Sequence, residues 1–369
     1  MKPKILFIMH IPPPVNGAAL VGQYIKNSKI INKDIDSDYI NLTASFSLEK
    51  IGKGGYNKIK IILSILKKVF TSLKANDYDL CYMTLTAKGA GFYKDFLIVL
   101  LLKLFRVKAI YHFHNKGVSK SSQKWFNNFL YKITFKNTKC ILLAPSLYKD
   151  IQRYVPEENV FFCPNGIPKL QTKDEITKIE NSVITPCKFL FLSNMMEEKG
   201  VLELLKACSI LKKEGYPFNC DFIGAWSDIT EDVFMHTIHS LSLENNVTFH
   251  GKKYNQDKVE FFETSDVFVF PTYYHNECFP LVLLEAMQFG LPIISTPEGA
   301  IEEIVLNNAT GLIIEQQNVD ALAKAMKFML KNPSIRKQYG LAGKKRFQEN
   351  FTLDIFEKKI SFILKNTLK

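Results

Sequence analysis

The sequence predicts an α/β protein made of two Rossmann-like domains facing across a cleft. Three observations carry this expectation. Short apolar runs alternate with amphipathic helical stretches along the chain, a pattern that implies parallel sheets with right-handed crossovers. The alternation breaks at a polar segment, residues 168–187, with Pro168 and Pro186 near its ends, and then restarts. The 369 residues are enough for two domains, each with a core of its own.

In the first half, residues 4–9 are an apolar strand, followed by a Pro/Gly loop over 11–17 and a helix from Ala18. Residues 39–42 read as the second strand. Apolar residues at helical spacing predict a long helix over 56–74. Strands follow at 80–83, 109–112 and 140–143, with helices over 93–105 and near 125–135 between them. A last apolar stretch, 160–163, runs into Pro164-Asn165-Gly166, a turn signal. The second half gives strands at 188–192, 220–223 and 247–250, separated by helices over 201–214 and near 231–241. A helix over 256–264 leads to a strand at 267–270 that is stopped by Pro271. After another helix, Gly290-Leu291-Pro292 precedes a strand at 293–295. A strand at 311–314 and helices over 319–331 and 334–350 complete the pattern. The expected division is an N-terminal domain over 1–167, a linker over 168–187 and a C-terminal domain over 188–350. A closing helix over 351–369 has the first domain as one surface to pack back on.

Composition narrows the function. A hydrophobic fraction of 47% is ordinary for a globular chain. The seven cysteines are scattered, odd in number and without C-x-x-C spacing. That reads as reduced cytosolic thiols rather than a disulfide frame or a zinc site. The N-terminus runs directly into a strand, so no signal peptide is expected. The longest apolar run, 96–102, is too short to span a bilayer. Residues 1–165 hold 25 Lys/Arg against 10 Asp/Glu, whereas 166–369 hold 23 against 26. The basic excess lies wholly in the first half and suits an anionic partner. No nucleic-acid-binding module accompanies the charge, which leaves an anionic membrane surface as the expected partner and nucleic acid as none.

Glu277 and Glu285 bracket seven residues on the strand–loop–helix–strand unit between 267 and 295. Glu277 falls in the loop at the top of the sheet, and Glu285 about a turn and a half into the helix. Ligands of parallel α/β sheets bind at that edge. A helix N-terminus there offers N–H groups and partial positive charge to a phosphate. An ionised carboxylate accepts from both hydroxyls of a vicinal diol. With Pro271 before it and Gly290-Leu291-Pro292 after it, the segment resembles the E-x7-E motif of retaining glycosyltransferases with the two-Rossmann-domain GT-B fold, the family-four type. The resemblance implies that Glu277 contacts hydroxyls of the donor sugar and that Glu285 holds the nucleotide ribose.

Four further stretches extend the resemblance. Gly17 follows Pro12-Pro13-Pro14-Val15-Asn16 and looks like the family's N-terminal glycine loop beside the donor phosphates and sugar. Asn194 to Gly200 is similar to the Arg…Lys-Gly loop, with Lys199-Gly200 matching and Asn194 standing where Arg is usual. Asn194 offers an amide but no charge, so Lys199 carries more of the diphosphate's neutralisation. His112-Phe113-His114-Asn115 resembles the active-site histidine region, with His114-Asn115 the better match. The Asn165-Gly166 turn, Pro292 and Gly311 complete the coverage.

No metal cofactor is expected. The His112/His114 pair lacks further ligands nearby in sequence, and Asp36-Ser37-Asp38 and Asp77-Tyr78-Asp79 read as solvated loop acids before strands. The leaving diphosphate then relies on Lys199, the helix N-terminus and backbone N–H groups near Phe279 and Leu281. Pro280 has no N–H and can open the helix.

The helix over 56–74 places Ile59, Ile62, Leu63, Leu66, Phe70 and Leu73 on one face, flanked by Lys60, Lys67 and Lys74. That describes an interfacial helix and a core-facing surface helix equally well. The resemblance implies an N-terminal acceptor-binding domain and a C-terminal domain that docks a nucleotide-diphosphate sugar, UDP favoured. The implied reaction moves a hexose to a lipid-linked or oligosaccharide acceptor in capsule or lipopolysaccharide assembly, in the cytoplasm or on the inner membrane face. Two other readings use the same residues. One is a non-hydrolysing sugar-nucleotide epimerase; the other is a non-catalytic binder of nucleotide sugar or polysaccharide, which Asn194 favours.

Overall fold

The computed structural model describes residues 2–43, 56–170, 186–253 and 255–368. It divides into two compact units, Met1–Gly166 with Leu353–Lys369, and Ile167–Thr352. Most of the segment expected as a linker, residues 171–185, lies outside the described residues. Its first residues belong to the second unit: Gln288 accepts from the Leu170 N–H at 2.6 Å and donates to the Pro168 carbonyl at 3.3 Å.

The first unit holds six parallel strands: β1 (Lys4–Met9), β2 (Asp36–Asn41), β3 (Leu80–Thr84), β4 (Ala109–His112), β5 (Lys139–Leu142) and β6 (Val160–Phe162). They pair in the order β2-β1-β3-β4-β5-β6. β3 is buried along its whole length, as is nearly all of β1, which suits a sheet covered on both faces. Helices α1 (Gly17–Asn27) and α2 (Lys29–Asn32) join β1 to β2. The later steps run the opposite way across the sheet. They pass through α3 (Tyr56–Ala75), then α4 (Gly89–Leu104), then α5 (Val118–Ser121) with α6 (Trp125–Phe135). Right-handed crossovers therefore put α1 on one face and α3, α4 and α6 on the other.

The first of the two D-x-D stretches needs correction, whereas Asp77 and Asp79 are exposed in the loop before β3 as expected. Asp36 and Asp38 are not loop acids but lie within β2, at the edge of the sheet where its strands begin. Asp38 accepts from the Tyr78 hydroxyl at 2.6 Å, and Lys4 Nζ lies 3.7 Å from Asp36 and 3.6 Å from Asp38. Asp79 accepts from the Lys4 N–H at 2.8 Å. These acids tie the start of β1 to its neighbours. All seven cysteines are buried and none forms a disulfide.

The second unit repeats the plan with β7 (Cys187–Leu192), β8 (Phe218–Ile223), β9 (Val247–Phe249), β10 (Val267–Phe270), β11 (Ile293–Ser295) and β12 (Gly311–Ile313). Their order is β12-β11-β10-β7-β8-β9, all parallel. Counted from β7 this is the doubly wound dinucleotide-type order, which reverses between β7 and β10. The helices are α7 (Val201–Lys213), α8 (Glu231–Ser240), α9 (Val259–Thr264), α10 (Leu281–Gln288), α11 (Ile301–Ile304), α12 (Val319–Lys331) and α13 (Pro333–Asn350). A final helix, α14 (Leu353–Leu368), packs on α2 of the first unit, where Lys365 pairs with Asp34 at 2.8 Å. No described helix is long and apolar enough to cross a membrane.

Candidate active site

Strand order locates the site in the second unit. The loops leaving the neighbours β7 and β10 open at the reversal point, where ligands of such sheets bind. The β7 loop carries Asn194 to Lys199, and the β10 loop carries Pro271 to Pro280.

The two loops are stitched together. The Glu198 carbonyl accepts from the Tyr273 N–H at 2.8 Å and from the Thr272 hydroxyl at 3.2 Å. Gly200 ends the β7 loop at φ +79°, and a Cβ there would lie 2.3 Å from the Pro271 carbonyl oxygen. Both the left-handed backbone and the close approach demand glycine. Lys199 is thereby set against the β10 loop. Its ammonium pairs with the Glu277 carboxylate and lies 4.5 Å from the Tyr274 ring centre and 5.3 Å from that of Phe270. Both partners of the pair are mostly buried, at 12% and 14% exposure. Sequence reasoning gave these two residues separate tasks; the structure joins them.

Glu285 has a partner of its own. Lys258, in the short 3-10 turn before α9, donates to its carboxylate at 2.6 Å. Sequence reasoning missed Lys258, because the partners are 27 positions apart and no local spacing links them. It also missed Tyr274, although an aromatic in a loop at the top of a strand was a visible signal.

Three other expected residues sit differently. Phe279 is a core side chain, packed edge-on against Phe351 at 5.9 Å, so its side chain is not available to a ligand. Leu281 is the first residue of α10, and the cap, Pro280, makes no side-chain hydrogen bond. The Leu283 N–H bonds the Pro280 carbonyl at 3.2 Å, and the Leu281 and Val282 N–H groups have no acceptor among the described residues, which leaves these two for an acceptor from outside the helix. Asn194 is exposed, and its carbonyl accepts from the Met196 N–H at 2.8 Å.

In the first unit, His114 lies just past the end of β4, half-buried. Burial chiefly, then the neighbouring His10, pushes its pKa down to about 3, so it is a neutral imidazole at ordinary pH. Its Nε2 is buried with no hydrogen-bond partner among the described residues. His112 is wholly buried; its Nδ1 is 2.5 Å from the Tyr82 hydroxyl, and its ring centre is 4.2 Å from that of His114. Burial holds the Tyr82 phenol far above its usual range. Tyr82 therefore donates, Nδ1 accepts, and the His112 proton resides on Nε2. Asn115 is structural: its side-chain oxygen accepts from the Ala87 N–H at 2.7 Å.

Gly17 is exposed at the first turn of α1, which Asn16 caps by accepting from the Ala19 N–H at 3.0 Å. The glycine whose missing side chain the packing requires is Gly22, where a Cβ would lie 2.0 Å from the His10 carbonyl oxygen. Among the described residues no group of three or more His, Cys, Asp or Glu is placed to hold a metal.

Residues 172–346 match the family model described as glycosyl transferases group 1. A capsular polysaccharide biosynthesis glycosyltransferase from Staphylococcus aureus is 28% identical over 274 residues, 69% of this chain and 70% of that protein. An amylovoran biosynthesis glycosyltransferase from Erwinia amylovora is 24% identical over 269 residues, 71% of this chain and 65% of that one. Among solved structures, Anabaena HepE in complex with UDP superposes with a TM-score of 0.75 at 15% identity, over 99% of this chain and 100% of that one. The group 1 match falls on the unit that holds the Lys199–Glu277 and Lys258–Glu285 pairs, and the protein is a glycosyltransferase with the two-Rossmann-domain GT-B fold.

Proposed function

We propose that this transferase moves a hexose from a UDP-sugar, with retention, to a lipid-linked or oligosaccharide acceptor in surface-polysaccharide assembly. The observation that carries the reading is the Lys199–Glu277 pair at the reversal point of the second sheet, beside the open first turn of α10. The S. aureus and E. amylovora relatives are named for capsule and amylovoran synthesis, and HepE was solved with UDP and with UDP-glucose.

In this account Glu285 takes the ribose diol, held in place by Lys258. The diphosphate meets the N–H groups at Phe279 and Leu281, together with Lys199. Without donor, Lys199 and Glu277 neutralise each other. An arriving diphosphate re-partners Lys199, and Glu277 is released to accept from the sugar hydroxyls. The acceptor hydroxyl attacks the anomeric carbon from the face the diphosphate leaves, and its proton goes to the leaving phosphate oxygen. Asn194 supplies an amide contact without charge. For the first unit, Gly17 and the neutral His114 are assigned substrate contacts, His114 because its Nε2 has no protein partner among the described residues. No metal is needed in this scheme, because Lys199 and the helix N–H groups carry the diphosphate's charge.

The test is a thermal-shift screen of nucleotide sugars on wild-type and Glu277→Ala protein, followed by turnover on the donor identified. UDP-sugars should stabilise both proteins, and only wild type should turn over. Wild-type turnover by Glu277→Ala would overturn the site assignment.

A further inference from the structure

Helices α3, α4 and α6 share one face of the first unit. α4 packs against both of its neighbours. The face is continuous: Phe70 of α3 meets Phe105 edge-on at 5.7 Å, and Tyr93 of α4 donates to Asn127 of α6 at 2.8 Å. Of the seventeen large apolar side chains exposed among the described residues, ten lie on these three helices.

On α3 the apolar residues split. Leu73 is buried and Ile62 and Leu66 are half-buried, whereas Ile59, Leu63 and Phe70 are exposed. The expectation of a single apolar face is therefore corrected to two. Leu63, Lys67, Phe70 and Lys74 recur at helical spacing, so lysines and apolar groups share one outer line. On α4, Tyr93, Leu97, Leu100 and Leu104 make an outer stripe with no charge, and Leu104 is 71% exposed. On α6, Trp125 is 81% exposed beside Phe126 and Phe129.

A soluble surface does not hold so many apolar groups on one face without an occupant. Charge selects the occupant. Residues 56–139 contain 16 Lys/Arg and 3 Asp/Glu. α3 and α6 contain no acid, and the one acid of α4, Asp95, is fully buried with Lys94 Nζ at 3.2 Å. A second copy docked on this face would set lysines against lysines. An anionic bilayer offers both what the apolar stripes need and what the lysines need, and exposed aromatics such as Trp125 suit the headgroup layer. We propose that the α3–α4–α6 face is a docking surface for an anionic lipid bilayer. The inference deepens the lipid-linked acceptor of the proposed function, but it rests on the surface and not on the reaction.

The test is co-sedimentation with vesicles of phosphatidylcholine alone and of phosphatidylcholine mixed with phosphatidylglycerol. Binding is expected to the mixed vesicles. It should weaken at about 0.5 M salt, where exposed charges are screened within a few ångström. Each lysine at an anionic surface changes partition about five-fold, so replacing Lys67, Lys68 and Lys74 by Glu should lower it on the order of a hundred-fold. A Leu97→Ser/Leu104→Ser variant should also release the protein. In a Trp226→Phe background Trp125 is the sole tryptophan, and its fluorescence should shift to the blue and be quenched by brominated lipid. UDP binding, measured on the same variants, should not change, which separates failure of this surface from failure of the nucleotide site. Equal binding to both vesicle types, binding to neither, variants that bind like wild type, or self-association in place of vesicle binding would each overturn the proposal.

Discussion

Lys258 gives the sharpest prediction about the nucleotide site, because its only role in this account is to hold Glu285. The pair is 2.6 Å apart with side chains 16% and 15% exposed. Solvent-exposed pairs contribute about 0.2–1 kcal/mol, and breaking a fully buried pair costs about 3–5 kcal/mol. A pair this enclosed falls between, near ~2 kcal/mol, which is about thirty-fold in Kd. Lys258→Met should therefore weaken UDP about thirty-fold by isothermal titration calorimetry, with the fold retained by circular dichroism. In a Glu285→Gln background the same substitution should cost almost nothing, because the carboxylate it orients is already gone. The coupling energy of that cycle should equal the single-variant loss. Additive losses would make Lys258 an independent phosphate contact, and an unchanged affinity for Lys258→Met would refute the assignment of Glu285 to the nucleotide.

Other expectations follow from the same geometry. Lys199→Ala should lower turnover by about 10²-fold or more, the size of removing one preorganised charge stabiliser, and Asn194→Ala should cost less; the reverse ranking in steady-state kinetics would move the main phosphate contact off Lys199. Activity should survive EDTA, and complete loss restored by manganese would contradict the metal-free scheme. Stability should fall in mild acid. Burial first, then the Lys94 charge against an opposing Asp95, lowers the pKa of His10 to about 4, and His114 is lowered to about 3. Both folded values lie below the ordinary 6.5, so the unfolded chain binds more protons. Their contribution is complete above about pH 6.5 and is lost as pH falls toward about 4 for His10 and about 3 for His114, at up to about 1.4 kcal/mol per pH unit for each histidine. Unfolding midpoints of His114→Gln should show a shallower acid slope than wild type; an unchanged slope would count against the buried neutral imidazole.

Much of the fold was legible where apolar runs ended at clear punctuation. Val267–Phe270 before Pro271, Ile293–Ser295 after Pro292, and Ala109–His112 fall where the pattern placed them. The four-residue helices α2, α5 and α11 were not anticipated, because four residues are too few for a helical period to show. α3 misled in a different way. It is apolar on two sides, so periodicity alone did not say which stripe was core; burial does, through Ile65, Val69 and Leu73. At the candidate site, Glu277, Glu285 and Lys199 were found by spacing and punctuation within one loop or helix. Their pairing was not, because Lys199 and Glu277 meet only through the β7–β10 adjacency created by the reversal of strand order. Lys258 and Tyr82 likewise act on residues distant in sequence, and Gly22 meets the His10 carbonyl across the turn from β1 into α1.

The central claim is retention at a UDP-sugar. Proton NMR of fresh enzyme with a panel of UDP-α-sugars, followed from the first minutes with a lipid extract as acceptor source, tests it directly. The account predicts that the first-formed glycosidic product, or the sugar released to water in its absence, carries the α configuration. A first-formed β product, or an epimerised UDP-sugar with no transfer, would contradict it.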